Sequence, residues 1–327
     1  MKRIIALLLM LACIISCCGC AAADAPAQTE IPTTTEAKVS QAAMEKLDGK
    51  KILFVGNSYT YFAHTVLRAS GSGLTQDKRG NDEGYFYQLC KTQGAEVSVT
   101  NWTFGDHALW ESLGHSCTRE ACFGVDHLSY LTDRYFDYVV LQPYSSDFSS
   151  DDVTEYLQPM MDVFREANPN VQFILAVPHM TYHRSYAWKN KLPDIDRSQI
   201  TVCNWGKMLA DILNGTTQVP NGTQQYFNGT FIVSVSEKDG HHQNLLVGYL
   251  TALMVYCAIT GDSAVGLPYD FCSDTSIRPE FDMEAYKKEK YVLEPFTNFI
   301  DVFNSPADME GLQILVDRYI AEPFGTN

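Results

Sequence analysis

Apolar positions along this chain follow two rhythms, and they alternate. Ile52-Leu53-Phe54-Val55 is a short continuous apolar run behind Lys50 and Lys51, the pattern of a parallel strand covered on both faces. Val97 to Trp102 alternates apolar with polar and predicts a second strand. Tyr138 to Leu141 predicts a third, Phe173 to Val177 a fourth, and Phe231-Ile232-Val233 a fifth. Between the third and fourth, Val153, Tyr156, Leu157, Met160, Met161 and Phe164 recur at helical spacing, with capping side chains at Ser149 to Asp152. Leu245 to Ile259 is apolar nearly all round and predicts a buried helix. Leu312, Leu315, Val316 and Tyr319 mark a last one.

Strands alternating with helices predict an α/β fold: a three-layer α/β/α domain around a mostly parallel five-stranded sheet. We place its core at about residues 50–260 and a helical C-terminal extension, packed on the same domain, at 261–327. In such sheets the functional crevice lies beyond the carboxyl ends of the strands. The residues that follow each strand therefore deserve the closest reading.

Ahead of the domain the pattern changes. Lys2 and Arg3 precede an apolar run from Ile4 to Ile15, too short for a stable bilayer span. Ser16-Cys17 and Gly19-Cys20 follow, and a small residue before cysteine at this place resembles a bacterial lipoprotein signal over residues 1–20. Cys20 is the preferred lipidation site and Cys17 the other option; an ordinary secretory signal is the competing interpretation. A lipid on that cysteine would tether the protein to the extracytoplasmic face of the cell membrane, and an unused signal of this kind would leave it secreted. Residues 21–46, rich in Ala, Thr, Pro and Glu, bury too little apolar surface to offset ordering entropy and predict a flexible linker. The folded domain then spans 47–327.

With 46% hydrophobic residues the chain can build a large core, which excludes wholesale disorder. Its net charge of −15 disfavours nucleic acid and anionic membrane surfaces as partners, so the lipid is the expected membrane contact. Beyond the signal stand Cys90, Cys117, Cys122, Cys203, Cys257 and Cys272. None of these forms a Cys-x-x-Cys pair, so a zinc ribbon or thioredoxin-like centre has no support, while Cys117 and Cys122 are close enough to clip one loop in an oxidising compartment.

Chemistry concentrates at two strand ends. Gly56-Asn57-Ser58-Tyr59-Thr60 follows the first strand; Gly56 permits a tight turn, and Ser58 opens the next helix as either an N-cap or a nucleophile. Asp239-Gly240-His241-His242 follows the fifth predicted strand. An Asp three residues before a His can fix the imidazole tautomer and leave the outer nitrogen free to take a serine proton; a capping Asp with solvated histidines is the plainer alternative.

In these blocks the sequence resembles the SGNH/GDSL serine hydrolase superfamily. The resemblance covers about residues 50–260 and implies a catalytic triad of Ser58, Asp239 and His242. It also implies an oxyanion hole from the N–H groups of Ser58 and Gly105. The third block departs from the family: where Gly-x-Asn-Asp is usual, Val140-Leu141-Gln142-Pro143-Tyr144-Ser145 stands here, and Gln142 is the expected replacement donor. Asn57, Tyr144 and His179 are the expected substrate contacts. An α/β-hydrolase is disfavoured because Thr60 stands where the second Gly of Gly-x-Ser-x-Gly belongs.

The implied activity is an extracytoplasmic serine esterase acting on O-acyl esters, acetyl among them, of small molecules or polysaccharides, with no cofactor and no metal. One alternative is a lipoprotein that binds glycans on the same scaffold without turnover, motivated by the missing third-block Asn. Another is a metal-dependent phosphoesterase built on His179, His183 and Asp239, whose spacing fits no helix-borne ligand pair.

Overall fold

The computed structural model describes residues 39–61, 65–68, 81–105, 107–112, 135–144, 153–178, 196–223, 242–273, 303 and 305–324. The chain divides into Met1–Glu36 and Ala37–Asn327, and every described residue belongs to the second unit. The signal, with Cys17 and Cys20, and the predicted linker up to residue 38 lie outside the described residues.

Five strands form one sheet: β1 (Lys51–Gly56), β2 (Ser98–Thr103), β3 (Tyr138–Leu141), β4 (Gln172–Ala176) and β5 (Ile200–Cys203). All pairings are parallel and the order is β2-β1-β3-β4-β5. Alternate residues divide the strands between two cores, as a period of two requires. Ile52, Phe54, Val140, Ile174, Ala176 and Cys203 enter the larger core, and Leu53, Val55, Val139, Leu141, Phe173, Leu175 and Val202 the smaller. The predicted α/β/α layering is therefore present.

The helices follow the same logic. In chain order they are α1 (Gln41–Lys46), α2 (Ser58–Tyr61), α3 (Tyr85–Thr92), α4 (Leu109–Ser112), α5 (Val153–Ala167), α6 (Trp205–Leu213), α7 (Leu245–Thr260) and α8 (Pro306–Ala321). Helix α5 covers the smaller core with Leu157, Met160, Met161 and Phe164. Helix α7 lies inside the larger core, and of its residues only Ala258 is not buried. Asn244 caps it by accepting from the Val247 N–H at 3.1 Å, and Gly261 ends it in the left-handed region at φ 77°.

Two boundaries differ from the sequence expectation. The fifth described strand is Ile200–Cys203, which is short and carries polar Thr201 between Ile200 and Val202, so no continuous apolar run announces it. Phe231-Ile232-Val233, the predicted fifth strand, lies outside the described residues. The linker expected to reach residue 46 yields to helix α1 from Gln41. Ser40 caps it, accepting from Ala43 N–H at 3.1 Å and donating to Asp262 at 2.5 Å, while Lys46 Nζ reaches the Thr260 carbonyl at 2.7 Å. Fully buried Ala43 and Leu47, four residues apart, give this short helix a packing face that a polar composition conceals.

Helix α8 lies in the segment after Gly261. Buried Gln313 on α8 donates to Tyr249 Oη at 3.0 Å and to the Leu267 carbonyl at 2.8 Å, tying α8 to α7 and to the segment after it. Among the described residues no helix is long and apolar enough to cross a membrane.

Candidate active site

Strand order locates the site before any side chain is considered. The chain leaves β1 for β2 on one side and later returns to β3 on the other, so the direction of winding reverses between β1 and β3. At such a switch point the loops beyond the carboxyl ends diverge and open a crevice. Asn57 and Ser58 follow β1 there, and Gln142 follows β3.

Ser58 is the first residue of α2 and is partly exposed. Its Oγ lies 2.8 Å from His242 Nε2, across 184 residues of sequence. That is hydrogen-bonding distance for a serine and its general base. The expected pair is thus brought together by the outer nitrogen, which leaves Nδ1 for an orienting partner. Asp239, expected in that role, and His179, expected to touch substrate, lie outside the described residues, as does His183.

Neighbouring residues fasten the two halves of this pair. Gln243, directly after His242, donates its amide to the Tyr59 carbonyl, directly after Ser58. The Tyr59 ring stands 5.8 Å from the His242 ring, tilted by 50°. Asn57 is fully buried: its Oδ1 accepts from Tyr59 N–H at 3.2 Å and its Nδ2 donates to the His107 carbonyl at 2.9 Å. The expectation that Asn57 contacts substrate is corrected accordingly. An amide with no exposed surface and both ends engaged caps α2 and ties the turn to the loop after β2.

That loop carries Gly105. A Cβ at Gly105 would come 3.0 Å from the Tyr61 hydroxyl, which sets this glycine against α2. His107 is buried, with Nδ1 2.8 Å from the Gly105 carbonyl and its ring 5.4 Å from Phe104. Upstream, a buried polar network fixes the end of β2. Asn101 donates to Asp82 at 2.9 Å and accepts from the Thr103 N–H and hydroxyl at 3.2 and 2.6 Å. Burial pushes the Asp82 carboxyl up, against the pull of hydrogen bonds from Asn101 and from the N–H groups of Arg68 and Gly84.

Gln142 departs most from expectation. Only 2% exposed, it points its Oε1 at the turn, accepting from Asn57 N–H at 3.1 Å and from the Thr60 hydroxyl at 2.8 Å, while Nε2 donates to the Pro143 carbonyl. The amide expected to donate to an oxyanion is occupied with its own scaffold. Tyr144, two residues on, is partly exposed at the carboxyl end of β3, where a substrate contact was expected. Trp102 is fully buried and packs edge-on against Phe104 at 5.3 Å, so it belongs to the core and offers no platform for a sugar ring.

No protein-family model matches the chain, and no curated protein does. Among solved structures it is similar to a DUF4886 family protein from Bacteroides uniformis, at 17% identity over 85% of this chain and 97% of that one, with a TM-score of 0.43. It is also similar to a proposed SGNH hydrolase from Slackia heliotrinireducens, at 18% identity over 63% of this chain and 97% of the other, with a TM-score of 0.34. A third is a carbohydrate esterase family 2 enzyme with a carbohydrate-binding domain from Corynascus thermopiles (Myceliophthora fergusii), at 16% identity over 66% and 67% of the two chains and a TM-score of 0.36.

Proposed function

We propose that the protein is a serine esterase of the SGNH type, with Ser58 as nucleophile, His242 as general base and Asp239 as the residue orienting the imidazole. The observation that carries this reading is the 2.8 Å contact between Ser58 Oγ and His242 Nε2 at the switch point of a parallel sheet. In the reaction, Ser58 Oγ bonds to the ester carbonyl carbon as its proton passes to Nε2. The Asp239 carboxylate accepts from Nδ1–H and stabilises the imidazolium. The N–H groups of Ser58 and Gly105 receive the oxyanion. The departing alcohol takes the proton from Nε2, and a water, deprotonated by the same nitrogen, then releases the acid.

The substrate class we propose is an O-acyl ester of a carbohydrate, acetyl esters included, met outside the cell by a protein lipidated at Cys20. The lipoprotein-like signal and the linker composition support the compartment, and Tyr144, partly exposed three residues after the end of β3, is the aromatic residue we propose for substrate contact. The test is treatment of the full-length protein with a fluorophosphonate probe and a short-chain aryl ester. Wild type is expected to label and turn over, while Ser58→Ala and His242→Ala lose turnover by about 10⁴-fold or more. Equal labelling of wild type and Ser58→Ala would exclude Ser58 as nucleophile.

One observation favours a second reading. The Gln142 amide is engaged at the turn and does not act as the side-chain oxyanion donor expected of it, as a non-catalytic glycan-binding lipoprotein on the same scaffold would allow. That reading prevails if wild type and His242→Ala share one background rate while binding polysaccharide equally.

A further inference from the structure

We propose that Gln142 is a positioning residue that sets the nucleophile turn, and that it is not an oxyanion donor; this deepens the esterase reading and rests on Ser58 being the nucleophile. The direction of the amide follows from its partners. The Asn57 backbone N–H can only donate, so the group facing it at 3.1 Å must be the Gln142 oxygen. The same oxygen accepts from the Thr60 hydroxyl at 2.8 Å, which leaves the nitrogen end on the Pro143 carbonyl. One oxygen therefore holds the residue immediately before Ser58 and the residue two positions after it.

The approach of strand to turn is built around this contact. The Gln142 N–H donates to the Val55 carbonyl at 2.8 Å, extending the β1–β3 pairing to the foot of the turn. A Cβ at Gly56 would lie 2.8 Å from Gln142 Oε1, 3.0 Å from its Cβ and 3.0 Å from Thr60 Oγ1, so only glycine lets β1 pass this close. Any shift of the Gln142 oxygen is felt by Asn57 and Thr60 together, and the Ser58 hydroxyl between them has a fixed target in His242 Nε2. A nucleophile displaced by about 1 Å loses roughly 10²-fold in rate.

Gln142→Asn separates positioning from donation, because it keeps the amide but shortens the side chain by about 1.5 Å. The experiment measures kcat and KM of the full-length protein on an aryl ester for Gln142→Asn, Gln142→Met, Thr60→Val and the Gln142→Met/Thr60→Val double variant. Positioning predicts a kcat loss of roughly 10²-fold in both Gln142 variants with KM within about twofold. It also predicts a smaller kcat loss in Thr60→Val and a double variant no worse than Gln142→Met, since both changes remove the same bond. Retention of kcat by Gln142→Asn, or multiplying losses in the double variant, would overturn the proposal, as would lowered thermal stability with unchanged kcat. Should the Gln142 variants fail to fold, Thr60→Val decides: reduced kcat at constant KM supports positioning, and unchanged kcat overturns it. Ser58→Ala separates the two levels of the argument. If that variant still turns over ester, the nucleophile assignment falls and this proposal with it; if it is dead while Gln142→Asn is fully active, only the role of Gln142 falls.

Discussion

The Ser58–His242 contact joins two segments that are 184 residues apart in the chain, and no single bond could hold it to an ångström. Beside it, Gln243 donates to the Tyr59 carbonyl, but the other end of the Gln243 amide, Oε1, is buried without a hydrogen-bond partner among the described residues. An orphaned buried acceptor costs about 1–3 kcal/mol, which makes this amide an expensive way to fill space and a purposeful way to tie Ser58's neighbour to His242's neighbour. Gln243→Met should therefore separate stability from activity. Losing the bond and losing the orphan oxygen offset each other, so the urea midpoint should correspond to a change within about 1 kcal/mol. Turnover should fall at least about tenfold at unchanged KM. Loss of stability without loss of turnover would show the tie to be structural only. Gly56→Ala should act from the other side. With a new methyl 2.8 Å from Gln142 Oε1, it should cost about 1–3 kcal/mol in denaturant unfolding and lower kcat as well.

At the scale of elements, α7 matters because it starts three residues after His242 and is buried along almost its whole length. Its Gly248 meets the side chain of Thr65 so closely that a Cβ there would overlap it, and the Thr65 carbonyl in turn accepts from Tyr85 N–H at 2.8 Å, at the start of α3. Gly248→Ala should thus cost about 1–3 kcal/mol by urea unfolding, and Thr65→Gly should recover part of that loss in the double variant. Independent, additive losses would mean that α7 does not seat against this segment. Elements of this kind were legible in the sequence to different degrees. Strands β1, β3 and β4 announce themselves because burial on both faces demands continuous apolar residues, and α7 because it is apolar all round. Strand β5 and helix α1 do not, since each is short and mixes polar with apolar positions. Ser58 and His242 could be picked out because Gly56-Asn57-Ser58-Tyr59-Thr60 and Asp239-Gly240-His241-His242 resemble two ordered blocks of a known superfamily; Ser58 alone is as readily an N-cap. The burial of Asn57 and the direction of the Gln142 amide could not, because both depend on how β1 and β3 approach each other, and the sequence states only that they pair.

At the scale of the whole molecule, buried thiols and phenols among the described residues gather in the larger core, and they set its limits in alkali. Cys90, Cys203, Cys257 and Cys272 are all buried there, together with the phenols of Tyr249 and Tyr256. Burial pushes the Cys203 thiol up to about 12 and raises Cys90, Cys257, Tyr249 and Tyr256 as well, because an anion inside this core loses its water; for Tyr256 the neighbouring Asp262 adds to the effect. A group whose folded pKa lies above its unfolded value contributes stability that is fully present below the unfolded pKa and is lost as pH rises towards the folded one. The unfolded chain begins to release these protons near pH 8.5 for thiols and near 10 for phenols, while the folded chain keeps them. The urea midpoint should therefore be flat below about pH 8 and fall steadily between about pH 8.5 and 11. The net charge of −15 becomes more negative over the same range, and self-repulsion would lower stability in the same direction. Salt separates the two causes: about 0.5 M NaCl screens surface repulsion but leaves the desolvation of a buried thiolate almost untouched. The alkaline loss should persist in salt, and iodoacetamide at pH 8 should spare these four cysteines in the native protein while labelling them in urea. If salt abolishes the loss, surface charge and not the buried thiols and phenols governs the alkaline limit.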